Sequence, residues 1–207
     1  VCAFDDLNSF YDPAIKQRNI GDLQALARLF TFTHGDLTDR ASLDEAFQGG
    51  EFDQVIHLAA RAGVRPSLAE PALYQRVNVE GTVNLLEAAR LAGVKAAMTA
   101  ADLDLLMVTS PENIYWLTGY RTTGYYVYQI LLLPREGTPQ FVTSKLEHEC
   151  VRALSVIKTG LTVFMGEDEV DRTLEGFDAT GATLRRIGYE EKGFWLPPRI
   201  LDAVRGR

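Results

Sequence analysis

The sequence is poor in the residues that usually announce chemistry. It has two cysteines, Cys2 and Cys150, and three histidines, His34, His57 and His148, among 207 residues. The cysteines are far apart and in no metal-like spacing, which argues against a disulfide framework or a zinc site and predicts two reduced, partly buried small hydrophobes of a cytoplasmic protein. There is no excess of positive charge either: the net charge is -7 and the isoelectric point about 5.0. Binding of nucleic acid through phosphate neutralisation needs a basic face, so no nucleic-acid partner is expected. No window approaches the length of apolar chain that crosses a bilayer, and no charged and then apolar segment opens the sequence, so neither a membrane span nor a signal peptide is read from it. No internal repeat or low-complexity tract occurs.

What is present is alternating α/β pattern. Val1–Phe4 reads as a strand with nothing leading into it, as expected of a chain cut from something longer. A helical segment follows from about Pro13 through Leu29, with Ile15, Ile20, Leu23, Leu26 and Leu29 as its apolar positions. Phe30–His34 alternates as a second strand, and Thr38 or Asp39 can cap a short helix carrying Leu43, Ala46 and Phe47. Phe52–Leu58 is the predicted third strand, which would bury His57 as a satisfied core histidine. His34, at a strand end before Gly35, is a pocket-rim candidate. Strand and helix at this spacing imply parallel crossovers and a doubly wound sheet.

The stretch Asn78–Ser110 joins this half to the next. Val79, Val83, Leu86 and Leu91 recur at helical spacing, and an unbroken helix over 78–101 would be about 36 Å long, so a break near Gly93 is expected. LDLLMVTS has the composition of a buried strand, stopped by Ser110-Pro111. Beyond it lie a short helix ending at Gly119, a β-prone run Tyr125–Leu133, a turn, and a hairpin partner at Gln140–Thr143. Then come a helix over Lys145–Ser155 with Val151 and Leu154 inward, a strand at Leu161–Phe164, a helix over Glu167–Ile187, a strand at Gly188–Glu190 and a terminal helix at Pro197–Val204. Glu147-His148-Glu149 places neighbours on different helical faces and reads as a solvated helix surface, not a metal site. Tyr115, Trp116, Tyr120, Tyr125, Tyr126 and Tyr128 read as core packing with hydroxyls at the edge, and Glu167-Asp168-Glu169 as an acidic helix start.

DDLNSFYDPAIK, GDLTDRASLDEAF, FDQVIHLAARAGVRPSLAEP and NVEGTVNLLEAAR, in that order, resemble the NAD-dependent nucleotide-sugar epimerase and dehydratase family, above all its UDP-glucuronate 4-epimerase branch. The resemblance implies a vestigial cofactor site: Asp5 toward the adenosine ribose, Asp36 and Leu37 flanking adenine, Leu58, Ala59 and Ala60 allowing close backbone approach, and Asn78 near the nicotinamide. The sequence departs from that family in two places. It has no glycine-rich phosphate turn, and no tyrosine is followed four residues later by lysine, the pair that serves hydride transfer in the family. The missing first strand would lie between residues 1–4 and 52–58 and leave two strand edges open.

From about residue 96 the chain resembles a second family, the N-terminal domain of creatinase and Xaa-Pro peptidases, through AAMTAADLDLLMVTSPENIYWLTGY, LLLPREGTPQFVTSKLE and IGYEEKGFWLP. The resemblance implies a non-catalytic domain that shapes an active-site mouth and makes subunit contacts, with the metal-binding domain lacking. The expected fold is α/β: a Rossmann-like parallel sheet lacking its first βα unit over 1–95, continuing into a mixed-sheet creatinase-like domain over 96–207. The crossover is placed between Ala92 and Ala97. The expected status is a chimeric or engineered protein without evolved catalysis, holding no cofactor and binding NAD only weakly if at all. Three alternatives stay open: residual nucleotide binding, a subunit completed by a partner chain, and a homodimer or accessory module paired through exposed strand edges.

Overall fold

A computed structural model describes every residue except 27, 49–51, 123–126, 164–168, 192–195 and 207, and the side chain of residue 161. The chain divides into two compact units, Val1–Ala92 and Gly93–Arg207.

In the first unit β1 (Cys2–Asp5) pairs in parallel with β2 (Thr31–His34), Cys2 opposite Thr31 and Asp5 opposite His34. The crossover is α1 (Pro13–Leu26), entered through Asp12, whose Oδ1 accepts from the N–H of Ala14 at 3.0 Å. Pro13 suits the first turn because the amide hydrogen it lacks would have no helical acceptor. Ile15, Leu23 and Leu26 are exposed. These apolar positions of the helix are therefore left partly or largely open to solvent. The core of this unit is small: Leu37, Leu43 and Ala88 are buried, with Phe4, Phe47 and Leu85 packed against them. Leu43 comes from α2 (Arg40–Gln48), where Asp39 accepts from the N–H of Ala41 and the hydroxyl of Ser42 at the helix start. After the short helices α3 (Val64–Ala69) and α4 (Pro71–Gln75), a π-type turn at Arg76–Glu80 leads into α5 (Gly81–Ala100).

Three expectations fail over residues 1–100. Residues 52–60 form no strand; Ile56 is 74% and Leu58 87% exposed, and His57 is exposed, with Nε2 2.9 Å from the Thr82 hydroxyl. An apolar run becomes a strand only where another strand completes its ladder. β1 and β2 pair with each other, so among the described residues this sheet has two strands and is not doubly wound. Nor does the long helix break at Gly93. Helix α5 passes through it, and a Cβ at Gly93 would meet nothing within 4 Å. The favourable propensity of the alanine-rich run outweighs one glycine.

The second unit is built on a five-stranded mixed sheet in the order β6-β5-β4-β3-β7. Its strands are β3 (Leu105–Val108), β4 (Gln129–Pro134), β5 (Gln140–Ser144), β6 (Gly160–Val163) and β7 (Ile187–Tyr189). β3 is antiparallel to β4 and parallel to β7, while β4 and β5 make the expected hairpin and β5 runs parallel to β6. Every residue of β4 is buried, so ILLL reads as a continuous apolar run instead of alternating. Leu105, Met107, Ile130, Leu132, Val142 and Phe177 form the centre of the core.

Helices α6 (Pro111–Thr118), α7 (Lys145–Leu154), α8 (Glu169–Ala179) and α9 (Pro198–Arg205) complete the unit. Gly119 stops α6 at φ 72°, a left-handed cap conformation that suits glycine, with its N–H donating to the Tyr115 carbonyl at 2.8 Å. Here too the structure revises details. α8 ends at Ala179, short of the expected Ile187: Gly181 adopts φ 68°, a left-handed conformation that stops a helix, and its N–H donates to the Asp178 carbonyl at 3.1 Å. Val151 points inward but Leu154 is exposed, as is Cys150. Tyr125, Tyr126, Glu167 and Asp168 lie outside the described residues; Glu169 does begin α8. Among the described residues, no helix is long and apolar enough to cross a membrane.

Candidate functional site

The sequence-derived site residues fall into two groups within the first unit. Asp5 ends β1 and Asp36 follows β2 by two residues, so parallel pairing brings both to the carboxyl end of the sheet. Ligands of open parallel sheets bind at that end. The N–H of Gly35 donates to the Asp5 carbonyl at 3.2 Å and fixes the turn between them. Leu37 is buried beside them at 7% exposure, as part of the core and not as an open adenine wall.

Both carboxylates already have partners. Asp5 Oδ1 accepts from the N–H of Leu7 at 2.7 Å and from Lys16 Nζ at 2.8 Å. The same ammonium lies 3.8 Å from Asp6 and over the Tyr11 ring at 5.1 Å. Asp36 Oδ1 accepts from the backbone N–H and the hydroxyl of Thr38, at 2.8 and 2.9 Å. His34 is exposed at this end, with Nε2 3.1 Å from the Asp6 carbonyl. Lys16 was not singled out in the sequence, although it closes the DDLNSFYDPAIK motif. A lysine one helical turn into a crossover gives no sign of which carboxylate it will meet.

The second group does not form the expected close-approach surface. Leu58, Ala59 and Ala60 are exposed and in no ladder. Asn78 sits in the π-type turn and clasps one backbone unit: its Oδ1 accepts from the Arg61 N–H at 2.7 Å, and its Nδ2 donates to the Arg61 carbonyl at 2.9 Å. Both the oxygen and the nitrogen of the amide thereby help to hold the segment after Ala60.

The second unit holds two polar clusters that sequence reasoning missed. Glu190, just past β7, accepts from the N–H groups of Thr109 and Ser110 at 2.6 and 2.7 Å, from the Thr109 and Ser110 hydroxyls at 3.1 and 2.6 Å, and from Asn113 Nδ2 at 2.5 Å. Burial alone would raise its pKa, but the hydrogen bonds from Ser110, Asn113 and Thr109 prevail and hold the carboxyl below the ordinary glutamate value. Glu147, expected on a solvated helix face, is buried, and the hydroxyl of the fully buried Tyr120 donates to its Oε2. Burial and this bond push the Tyr120 hydroxyl above its usual pKa. His148 meets the Thr162 hydroxyl at 2.5 Å, so the three adjacent residues of the acid-histidine-acid run share no ligand. Among the described residues, no group of three histidine, cysteine or carboxylate side chains is placed to hold a metal. Of the aromatic group, Tyr115 and Trp116 are exposed, Tyr120 packs edge-on against Phe141, and the Tyr128 hydroxyl meets that of Thr173.

Residues 90–206, more than half of the sequence, match the model of the creatinase/prolidase N-terminal domain. The chain belongs to that family. Residues 4–103 match a different model, GDP-mannose 4,6 dehydratase, so this creatinase-family chain has a two-part architecture whose matched stretches overlap over 90–103. A UDP-glucuronate 4-epimerase of Thermodesulfobacterium geofontis is 38% identical over 111 residues, which are 54% of this chain and 34% of that protein. A probable UDP-glucuronate 4-epimerase of Rhizobium meliloti is 40% identical over 101 residues, 49% of this chain and 29% of that protein. The chain thus spans about a third or less of the length of these curated relatives. Among solved structures, a proline dipeptidase from Streptococcus pneumoniae is similar with a TM-score of 0.49 and 15% identity, over 56% of this chain and 83% of that one. The N-terminal domain of an Xaa-Pro dipeptidase from Lactobacillus brevis has a TM-score of 0.49 and 13% identity, over 56% and 85%.

Proposed function

We propose that the chain is a chimeric, non-catalytic α/β protein, in which an incomplete epimerase-like nucleotide segment is joined to a creatinase-like accessory domain. One observation carries this reading: the polar groups that would serve a dinucleotide are engaged by the protein itself, Asp5 by Lys16 and the Leu7 N–H, Asp36 by Thr38, and Asn78 by Arg61. A ligand would have to displace these bonds and would gain only the difference. No tyrosine-lysine pair at the spacing used for hydride transfer occurs in these 207 residues. The test is turnover of UDP-glucuronate with added NAD, for which no epimerised product is expected. Product formation at a rate abolished by Asp5→Ala would overturn the reading.

One arrangement favours a second reading, a weak nucleotide-binding remnant. Asp5 and Asp36 occupy the carboxyl ends of paired parallel strands, where a carboxylate can accept from two vicinal ribose hydroxyls. Calorimetry with NAD and ADP-ribose separates the two. Saturation at micromolar ligand, lost in Asp5→Ala, establishes the remnant, and flat titrations to millimolar ligand eliminate it.

A further inference from the structure

Two unfinished pieces of sheet lie in the first unit, and each has what the other lacks. The first is the open edge of β1. On the β2 side the carbonyls of Val1 and Asp5 accept from the N–H groups of Thr31 and Gly35. Alternate residues of a strand turn their N–H and C=O groups to opposite edges. Those of Cys2 and Phe4 therefore face away from β2, where no strand pairs with β1 among the described residues. The second piece is the segment 52–60. It is exposed at every residue and makes no backbone hydrogen bond among the described residues. Yet FDQVIHL carries the β-prone side chains of a strand, and Phe52, Val55, Ile56 and Leu58 all stand open to solvent.

We infer that these two surfaces meet in a second copy of the chain: residues 53–58 of one copy add to the β1 edge of the other, reciprocally about a two-fold axis. Strand addition satisfies main-chain donors and acceptors on both sides at once. A two-fold exchange uses both surfaces of both copies, so this mode stops at two. Charge sets the direction. Asp53 opens the segment and Arg61 lies just past its end, while Asp5 and Asp6 close β1 with Lys16 beside them, one cation for two carboxylates. Antiparallel addition would set Asp53 against this negative end, whereas parallel addition brings Arg61 to it. The edge is also unguarded, since Cys2, Ala3 and Phe4 include neither a charge nor a proline. β1 with segment 53–58 falls short of the roughly 20–30 residues a side of a standard interface. The dimer is accordingly weak and concentration-dependent, and it forms whether or not the chain turns over a substrate.

Sedimentation velocity of the whole chain, from micromolar to millimolar concentration, should show monomers of 23.0 kDa passing into dimers and nothing larger. Hydrogen exchange should slow with concentration at the Phe4 amide and within residues 53–58, a mark that contact through another face would not leave. Ile56→Lys alters a side chain that is 74% exposed in the single copy, so the fold seen by circular dichroism should be unchanged. Cys2→Pro removes one N–H from the open edge and leaves the bonds to β2 in place. Each substitution should weaken the dimer at least about tenfold, the loss expected for one central contact. A mass of 23.0 kDa at every concentration would overturn the assignment. So would a dimer that keeps its affinity in I56K, oligomers that grow without limit, or a dimer in which the Phe4 and 53–58 amides exchange as in the monomer.

Discussion

The Glu190 carboxylate caps the start of α6: its Oε2 accepts the backbone N–H of Ser110 at 2.7 Å, and its Oε1 the Ser110 hydroxyl at 2.6 Å. Residues 80 apart in sequence thus close the junction between β3 and α6, and negative charge at a helix N-terminus adds to the hydrogen bonds. Because the folded-state pKa of Glu190 is depressed below 4.5, this stabilisation is fully present above pH 4.5 and is lost as pH falls through the folded value. Glu190→Gln, which cannot titrate, should cost about 1–3 kcal/mol at neutral pH. Urea midpoints for the two proteins should converge as pH drops well below 4.5. A constant gap across that range would show that the charge of Glu190 contributes nothing.

Tyr120 and Glu147 make a buried pair of a different kind. Removing the hydroxyl in Tyr120→Phe leaves Glu147 with the Thr122 hydroxyl at 3.5 Å as its other hydrogen-bond contact given by the geometry. An unsatisfied buried acceptor costs about 1–3 kcal/mol, whereas replacing both partners by apolar groups can be near neutral. Tyr120→Phe with Glu147→Met should therefore be less destabilised than the sum of the single changes, by at least 1 kcal/mol or so in a double-mutant cycle. Strict additivity would mean that the two side chains are not coupled.

Gly93 gives the simplest stability test. It sits inside α5 with open space where a Cβ would go. Gly93→Ala should raise stability by about 0.5–1 kcal/mol, since alanine loses less backbone freedom in a helix. Thermal melts would register this as a higher midpoint, and a lowered one would show that the helix is not continuous there.

Gly137 makes the opposite case. It adopts φ 109° in the β4–β5 turn, and a Cβ there would lie 2.2 Å from the Thr180 carbonyl oxygen, a backbone atom that no rotamer can move aside. Gly137→Ala should destabilise the second unit by about 2–4 kcal/mol, at the upper end for single substitutions. A wild-type denaturation midpoint would contradict the close approach.

The second unit was largely legible because its signals are local. The run QILLLP can only be a central strand, PREGTP makes a turn, and Ser110-Pro111 with Gly119 bounds a helix. What could not be read there depends on distant partners: nothing in Gly188-Tyr189-Glu190 says that β7 lies beside β3 and sends Glu190 to Ser110. The first unit shows the converse failure. FDQVIHL has a strand's composition, yet composition supplies no neighbour to complete a ladder, and Val55, Ile56 and Leu58 stay exposed. The positions of Asp5 and Asp36 followed from strand ends, which sequence gives well. Their engagement by Lys16 and Thr38 did not, because side-chain partners depend on crossover geometry.

Asn78 shows how a residue suited to a cofactor can serve structure instead. Its amide makes two bonds to the backbone of Arg61, the same two that a neighbouring strand would offer, and so pins the end of this segment. Asn78→Ala should free residues 52–63 at a cost of about 1–3 kcal/mol for two lost bonds, with little effect on the second unit. Trypsin should then cut after Arg61 several-fold faster than in the parent, because proteolysis follows the population of the locally open form. Asn78→Asp keeps the acceptor for the Arg61 N–H but loses the donor to its carbonyl, and should fall between the two. Equal cleavage rates in all three proteins would show that the clasp does not control this segment.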